Sequence, residues 1–190
     1  MIRDLVEKSR STRRFYEDQP IALEQLKQLV DLARLSSSAR NAQPLKYILS
    51  NEPEKNAKIF ASLAWAGYLT EWSGPRIGER PAAYIIVMGD KRISQTYGID
   101  PGIAAQSIVL GANEIGLGTC MLTSIQKTTL VQSLQISDQY EILLVIALGK
   151  PREKVVIEPV GRDGDIKYWR DEDGVHHVPK RALEDIIIDG

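Results

Sequence analysis

Two polar segments near the N-terminus hold the residue types best suited to chemistry. The first is Ser9-Arg10-Ser11-Thr12-Arg13-Arg14-Phe15 and the second is Ser36-Ser37-Ser38-Ala39-Arg40-Asn41-Ala42-Gln43-Pro44. Arginine is permanently charged and presents a planar fork that matches phosphate oxygens. The interleaved hydroxyls add donors at the same depth. Asn41 and Gln43 stand two apart; in extended backbone they share a side, and each amide both donates and accepts. That suits a ring edge with alternating donors and acceptors, such as a pyrimidine or a flavin. Taken together, the pair fits a phosphorylated, polyol-bearing ligand. Each segment also has a plainer reading. Cations are favoured at a helix C-terminus, and Ser, Asn and Pro collect at helix ends because they form local turns.

Other chemistries find less support. Gly116-Leu117-Gly118-Thr119 lacks the third glycine and the strand-then-helix context of a dinucleotide fingerprint. No Gly-Lys-Ser/Thr follows a glycine loop, and no Gly-x-Ser-x-Gly elbow occurs. His176 and His177 are the two histidines; adjacent strand residues point to opposite faces, so they do not share a metal, and a hairpin-surface role is expected. The lone Cys120 sits in an apolar strand and reads as core. Trp65, Tyr68 and Trp72 fall at i, i+3 and i+7, as in an aromatic core stripe of a helix or a wall over a flat ligand.

The positioning elements follow from periodicity. Ile2, Leu5 and Val6 predict a short opening helix that delivers the Arg10 segment. Leu23, Leu26, Leu29, Val30 and Ala33 mark a second helix between the two polar segments, weakly capped by Ala22. That helix would let its two ends bring the segments to one region. Strands are expected at Lys46–Ser50, Ala82–Met88, Thr119–Leu122 and Glu141–Gly149, and helices at Glu54–Leu69, Gly102–Ile115 and Lys127–Leu134. A hairpin joins Asp165–Arg170 to Val175–Val178 through Gly174, and Leu183, Ile186 and Ile187 suggest a last short helix. Strands and helices do not alternate strictly, which favours α+β over a doubly wound sheet.

At 190 residues the chain is most simply one domain, 1–190. Hydrophobic residues make up 43% and charged residues 26%, ordinary for a soluble globular chain. A net charge of −1 gives no global pull toward nucleic acid or anionic lipid. One cysteine fits a reducing compartment, no signal-peptide core is seen, and no apolar run reaches the roughly 20 residues of a membrane span. A cytoplasmic protein is expected.

Four features in fixed order resemble the nitroreductase family of FMN-dependent oxidoreductases. They are Arg10-Ser11-Thr12-Arg13-Arg14-Phe15, Ser37-Ser38-Ala39-Arg40-Asn41-Ala42-Gln43-Pro44, Gly116-Leu117-Gly118-Thr119-Cys120 and Pro179-Lys180-Arg181. The resemblance implies an α+β fold, a mixed sheet sandwiched by helices, and a homodimer with FMN at its interface. It assigns phosphate contact to Arg10, Ser11 and Arg13, completed by Lys180 or Arg181. It assigns Ser37, Ser38, Asn41 and Gln43 to the flavin of the other subunit, and the backbone of Thr123 and Ser124 to flavin N5. Asp100 is a further candidate near the ring. Many relatives carry Arg where this chain has Ser9, and Arg14 is the candidate replacement. The Trp65 to Pro81 segment departs from longer relatives.

The activity so implied is hydride transfer from NADH or NADPH, by way of flavin, to a nitroaromatic, quinone or similar small acceptor in a ping-pong cycle. No side chain need act as nucleophile. Reductive dehalogenation, flavin fragmentation and non-catalytic FMN binding are the alternative readings of the same contacts.

Overall fold

A computed structural model describes residues 1–188. The helices are α1 (Ile2–Lys8), α2 (Leu23–Leu35), α3 (Pro53–Phe60), α4 (Asp100–Glu114) and α5 (Lys127–Leu134). The strands are β1 (Phe15–Tyr16), β2 (Leu45–Ser50), β3 (Ala83–Asp90), β4 (Gly118–Leu122), β5 (Tyr140–Pro151), β6 (Val155–Pro159), β7 (Trp169–Arg170) and β8 (His176–Lys180).

A five-stranded sheet runs β1-β5-β3-β2, with β4 also paired to β5. Its ladders are antiparallel, and a parallel bridge joins Ser11 to Thr119. Antiparallel sheets commonly leave one face in water. This one is covered on both, and all eight residues of β3 are buried. Alternation sorts them by face. Ile85, Val87, Ile146 and Leu148 join Leu26, Leu29 and Ile108 of α2 and α4. Tyr84, Ile86, Val145 and Ala147 join Ile59 of α3 and Leu130 of α5. Double coverage explains why β3 and β5 read as unbroken apolar runs. Each such side chain contributes about 1.5–3 kcal/mol when fully buried.

Local chemistry ends these elements. Ala22 offers no side-chain cap, but Gln25 Oε1 accepts its backbone N–H at 3.0 Å. Gly116 closes α4 at φ +75°, where Leu117 N–H donates to Ala112 O at 2.8 Å and Gly116 N–H to Asn113 O at 3.0 Å. Two residues later, a Cβ on Gly118 would lie 2.7 Å from Thr12 Oγ1. The glycine pair therefore stops a helix and lets the Arg10 segment cross close to β4.

The second sheet, β6-β8-β7, pairs β6 with β8 in parallel and β7 with β8 antiparallel. The parallel β6–β8 pairing and the Ser11–Thr119 bridge supply the mixed character of this α+β fold. The expected hairpin turns at Gly174, φ +77°, although residues 165–168 stay outside its strand. Two helical expectations fail. The Glu54–Leu69 helix ends at Phe60, because the chain turns to bond the segment after β4. Ala64 N–H donates to Ser124 O at 3.0 Å, Gln126 N–H donates to Ser62 O at 2.8 Å, and Ala66 takes φ +45°. Trp65, Tyr68 and Trp72 are thus no helical stripe. The stretch around Leu183, Ile186 and Ile187 forms turns with those side chains exposed.

Candidate functional site

The Arg10 segment leaves α1 as a strap across β4. Thr12 N–H donates to Thr119 O at 2.8 Å, and Phe15 pairs with Pro151 of β5. The strap faces a cavity lined by Ser9, Arg10, Ser11 and Arg13 on one side, and by Tyr168, His176, Val178 and Lys180 on the other. Strand alternation explains the second wall, since residues 176, 178 and 180 of β8 share a face. The lining holds three cations and no carboxylate. The buried Nε of Arg10 has no partner, while its Nη2 donates to Val6 O at 2.9 Å. This donor set, with an unsatisfied N–H, fits a phosphate dianion.

A second cavity adjoins the first and shares Arg13 and Tyr168 with it. Ala64, Trp65, Ala66, Gly67 and Cys120 to Ser124 complete its lining. Trp65 Nε1 is buried there without a partner. A flat ring joined to a phosphate through a short chain matches two chambers that meet at Arg13 and Tyr168.

Arg13 is held by neutral groups. Its Nη1 donates to Ser11 O at 3.3 Å and lies 2.9 Å from His176 Nε2. Its guanidinium sits 4.4 Å over the Tyr168 ring. Arginine can only donate, so His176 Nε2 accepts and its proton sits on Nδ1, which is buried without a partner. Burial pushes the His176 pKa down to about 4, and the charges of Arg13 and Arg170 add to the shift. His177 points the other way. It stacks on Trp169 at 4.1 Å, with Nδ1 2.9 Å from Glu158 and Nε2 3.1 Å from Asp171. Those carboxylates, Asp171 first, raise its pKa.

The Ser36–Pro44 segment lines a separate cavity with Arg34, Lys46, Tyr47 and Asp100. Ser38 Oγ donates to Asp100 Oδ2 at 2.6 Å, and Ala39 N–H donates to Oδ1 at 3.0 Å. Burial pushes the Tyr47 hydroxyl up to about 12, with Asp100 adding to the shift. Arg40, Asn41 and Gln43 all take positive φ, between 50° and 54°.

The structure therefore gathers Arg10, Ser11, Arg13 and Lys180 around one cavity and puts Thr123 and Ser124 on its neighbour. Ser37, Ser38 and Gln43 lie apart from both, so α2 does not bring the two polar segments together within one chain. Asn41 is exposed and bonds Gln43 Nε2 through Oδ1 at 3.1 Å. The two amides sit in tight turns rather than extended backbone. Arg181 follows β8, is exposed and lines neither chamber. Asp100 belongs to the separate cavity. Arg14 does not stand in for Ser9, because it pairs with buried Glu79 through Nη2–Oε1 at 2.5 Å and Nε–Oε2 at 3.1 Å. Ser9 instead donates to Leu5 O at 2.5 Å. His176 is fully buried and no surface residue of the hairpin. Cys120 is core, as expected, and burial raises its thiol pKa.

Tyr168 and His176 stand outside the expected set. Tyr168 belongs to no motif, but His176 shares the β8 face with Lys180, and the period of two along a strand joins them. Among the described residues no group of three or more His, Cys, Asp and Glu is placed to hold a metal, and no helix is long and apolar enough to cross a membrane.

Comparison with known proteins agrees with this fold. A nitroreductase family protein from Streptococcus pneumoniae TIGR4 superposes at TM-score 0.67, with 20% identity over 85% of this chain and 95% of that one. An FMN-dependent nitroreductase from Clostridium difficile R20291 gives 0.65, with 23% identity over 81% of this chain and 89% of that one. The Bacillus subtilis (strain 168) protein YodC, named provisionally as an NAD(P)H nitroreductase, is 22% identical over 180 residues, covering 77% of this chain and 88% of its own length. The model of the nitroreductase family matches residues 6–150, and the chain belongs to that family.

Proposed function

We propose that the chain is a single-domain, FMN-dependent oxidoreductase that takes hydride from NADH or NADPH and delivers it to a small acceptor such as a nitroaromatic or a quinone. The observation that carries this reading is the cation-lined cavity of Arg10, Arg13 and Lys180 opening beside the chamber of Trp65 and Thr123–Ser124. Bound FMN supplies the hydride exchange between NAD(P)H and acceptor. The chain's own residues bind and orient. Arg10, Arg13 and Lys180 neutralise the phosphate, and the Ser11 hydroxyl adds a donor. Trp65, Ala66 and Gly67 wall the ring chamber, while the backbone of Thr123 and Ser124 stands where N–H groups can address a ring edge. Ser37, Ser38 and Gln43 occupy a separate cavity of the same chain, which supports a homodimer in which a second copy brings them to the ring.

The test is a visible spectrum of purified protein followed by anaerobic NADH and NADPH titration. Yellow protein bleached by either nucleotide and recoloured by a quinone supports the proposal. Colourless protein that takes up no added FMN defeats it. Tight FMN binding without nucleotide oxidation indicates a storage or sensing protein instead. Arg10→Ala combined with Arg13→Ala is expected to weaken FMN retention, and unchanged retention means the phosphate lies elsewhere.

A further inference from the structure

We infer that His176, backed by Tyr168, is a positioning residue that holds Arg13 in the anion cavity with its positive charge uncompensated. The inference rests on the FMN reading above and concerns the phosphate end alone. Neighbouring arginines show the contrast. Arg14 pairs with Glu79 at 2.5 Å, and Arg170 Nη2 pairs with Glu153 Oε2 at 2.7 Å. Arg13 is as deeply placed, yet its recorded guanidinium partners are a carbonyl, an imidazole and an aromatic face. Glu153 accepts the Arg13 backbone N–H through Oε1 and gives its other oxygen to Arg170, not to the Arg13 fork.

An acceptor is needed to fix the fork, because arginine otherwise keeps large rotamer freedom. A carboxylate would fix it and also cancel the charge that a phosphate needs. A neutral imidazole fixes it and leaves the charge intact. The ring face of Tyr168 adds cation–π attraction without adding net charge. Tyr168 is itself braced, since its hydroxyl accepts Tyr68 N–H at 3.3 Å and its ring lies 5.2 Å from His176. Thus β8 and the segment before β7, both beyond the stretch matched by the family model, set the geometry of a residue near the N-terminus.

The measurement is the ratio of FMN to riboflavin affinity, which isolates the phosphate. It is made on wild type, His176→Gln, His176→Glu and His176→Leu, each first checked for fold by circular dichroism. Wild type is expected to favour FMN by tenfold or more. Gln, whose amide oxygen can accept from Arg13, keeps most of that ratio. Glu and Leu lose at least fivefold of it while riboflavin affinity stays within twofold. In an Arg13→Gln background, His176→Leu is expected to change the ratio by less than twofold. A wild type that binds neither ligand, or both equally, overturns the FMN reading itself. A wild type with the expected preference, but Glu and Leu variants that share it, overturns the role of His176. If a His176 variant does not fold, Tyr168→Leu replaces it, with a threefold loss of the ratio expected and an unchanged ratio counting against the inference.

Discussion

Lowering the pH from 7 toward 4 is expected to draw stability out of this fold through His176. Its pKa in the folded chain is about 4, against an ordinary value of 6.5. Between those values the unfolded chain holds a proton that the folded chain refuses, so acid favours unfolding. The contribution is complete above pH 6.5 and is lost as pH falls toward 4. One proton corresponds to about 1.4 kcal/mol per pH unit, so the whole window holds at most about 3.5 kcal/mol. That is a large share of the 5–15 kcal/mol typical of a domain. The carboxylates do not obscure it. Glu79 and Asp90 have pKa values pulled below the ordinary 4.5 and 3.8 by Arg14 and Arg92, so their losses begin near the bottom of the window. His177 works in the opposite sense. Its raised pKa gives stability that is present below 6.5 and lost as pH rises through the folded value. The pair therefore places the histidine-dependent optimum near pH 6.5. Urea unfolding at closely spaced pH values, for wild type and His176→Gln, reads the effect directly. The two curves are expected to converge as pH falls from 6.5 to 4.5. Parallel curves across that interval would refute the buried, neutral imidazole.

Three substitutions test other parts of the structure. Gly118→Ala places a Cβ 2.7 Å from Thr12 Oγ1 and is expected to cost about 1–3 kcal/mol in urea unfolding; a cost near zero would mean that the strap does not cross β4 so closely. Arg14→Ala removes the nearest of three guanidinium partners of the Glu79 carboxylate, 3% exposed, and leaves Arg76 at 3.5 Å and Arg152 at 4.0 Å; it is expected to destabilise by about 1–3 kcal/mol while FMN affinity holds, since Arg14 lies off the anion cavity, and lost affinity in a folded variant would return Arg14 to the phosphate. Lys180→Ala is expected to loosen FMN about tenfold and Arg181→Ala less than twofold, read by equilibrium dialysis; equal effects would contradict the placement of Lys180 on the anion cavity and Arg181 off it.

Legibility in the sequence tracked how local the determining physics is. The runs Ala82–Met88 and Ile142–Leu148 announced β3 and β5 because both faces of the sheet are covered, so every position demands an apolar residue. The helix over Leu23–Ala33 was equally plain. The Glu54–Leu69 stretch was not, because its apolar spacing suits a helix and only non-local bonds from Ala64 to Ser124 and from Gln126 to Ser62 break it at Phe60. The parallel pairing of β6 with β8 leaves no short-range signature either. At the site, Arg10, Arg13 and Lys180 were readable from residue type and family order. Arg181 carries the same charge as its neighbour Lys180, and adjacency in sequence says nothing of which side of the chain a residue occupies. Tyr168 becomes visible only when the hairpin folds back onto the strap, and Arg14 is distinguished from Arg13 only by a distant glutamate, Glu79.

Arg10 and Lys180 face one cavity from opposite ends of the chain, separated by about 170 residues. A ligand seated between them acts as a removable crosslink. In the folded chain it ties the strap after α1 to β8 and closes nearly the full contour of the polypeptide, a constraint that no single cysteine can supply. Ligand in the cavity is then expected to add to the contacts that hold the C-terminal sheet against the strap. Protease resistance near residues 160–175, and the melting temperature with it, would rise with free ligand concentration in the logarithmic way that mass action requires.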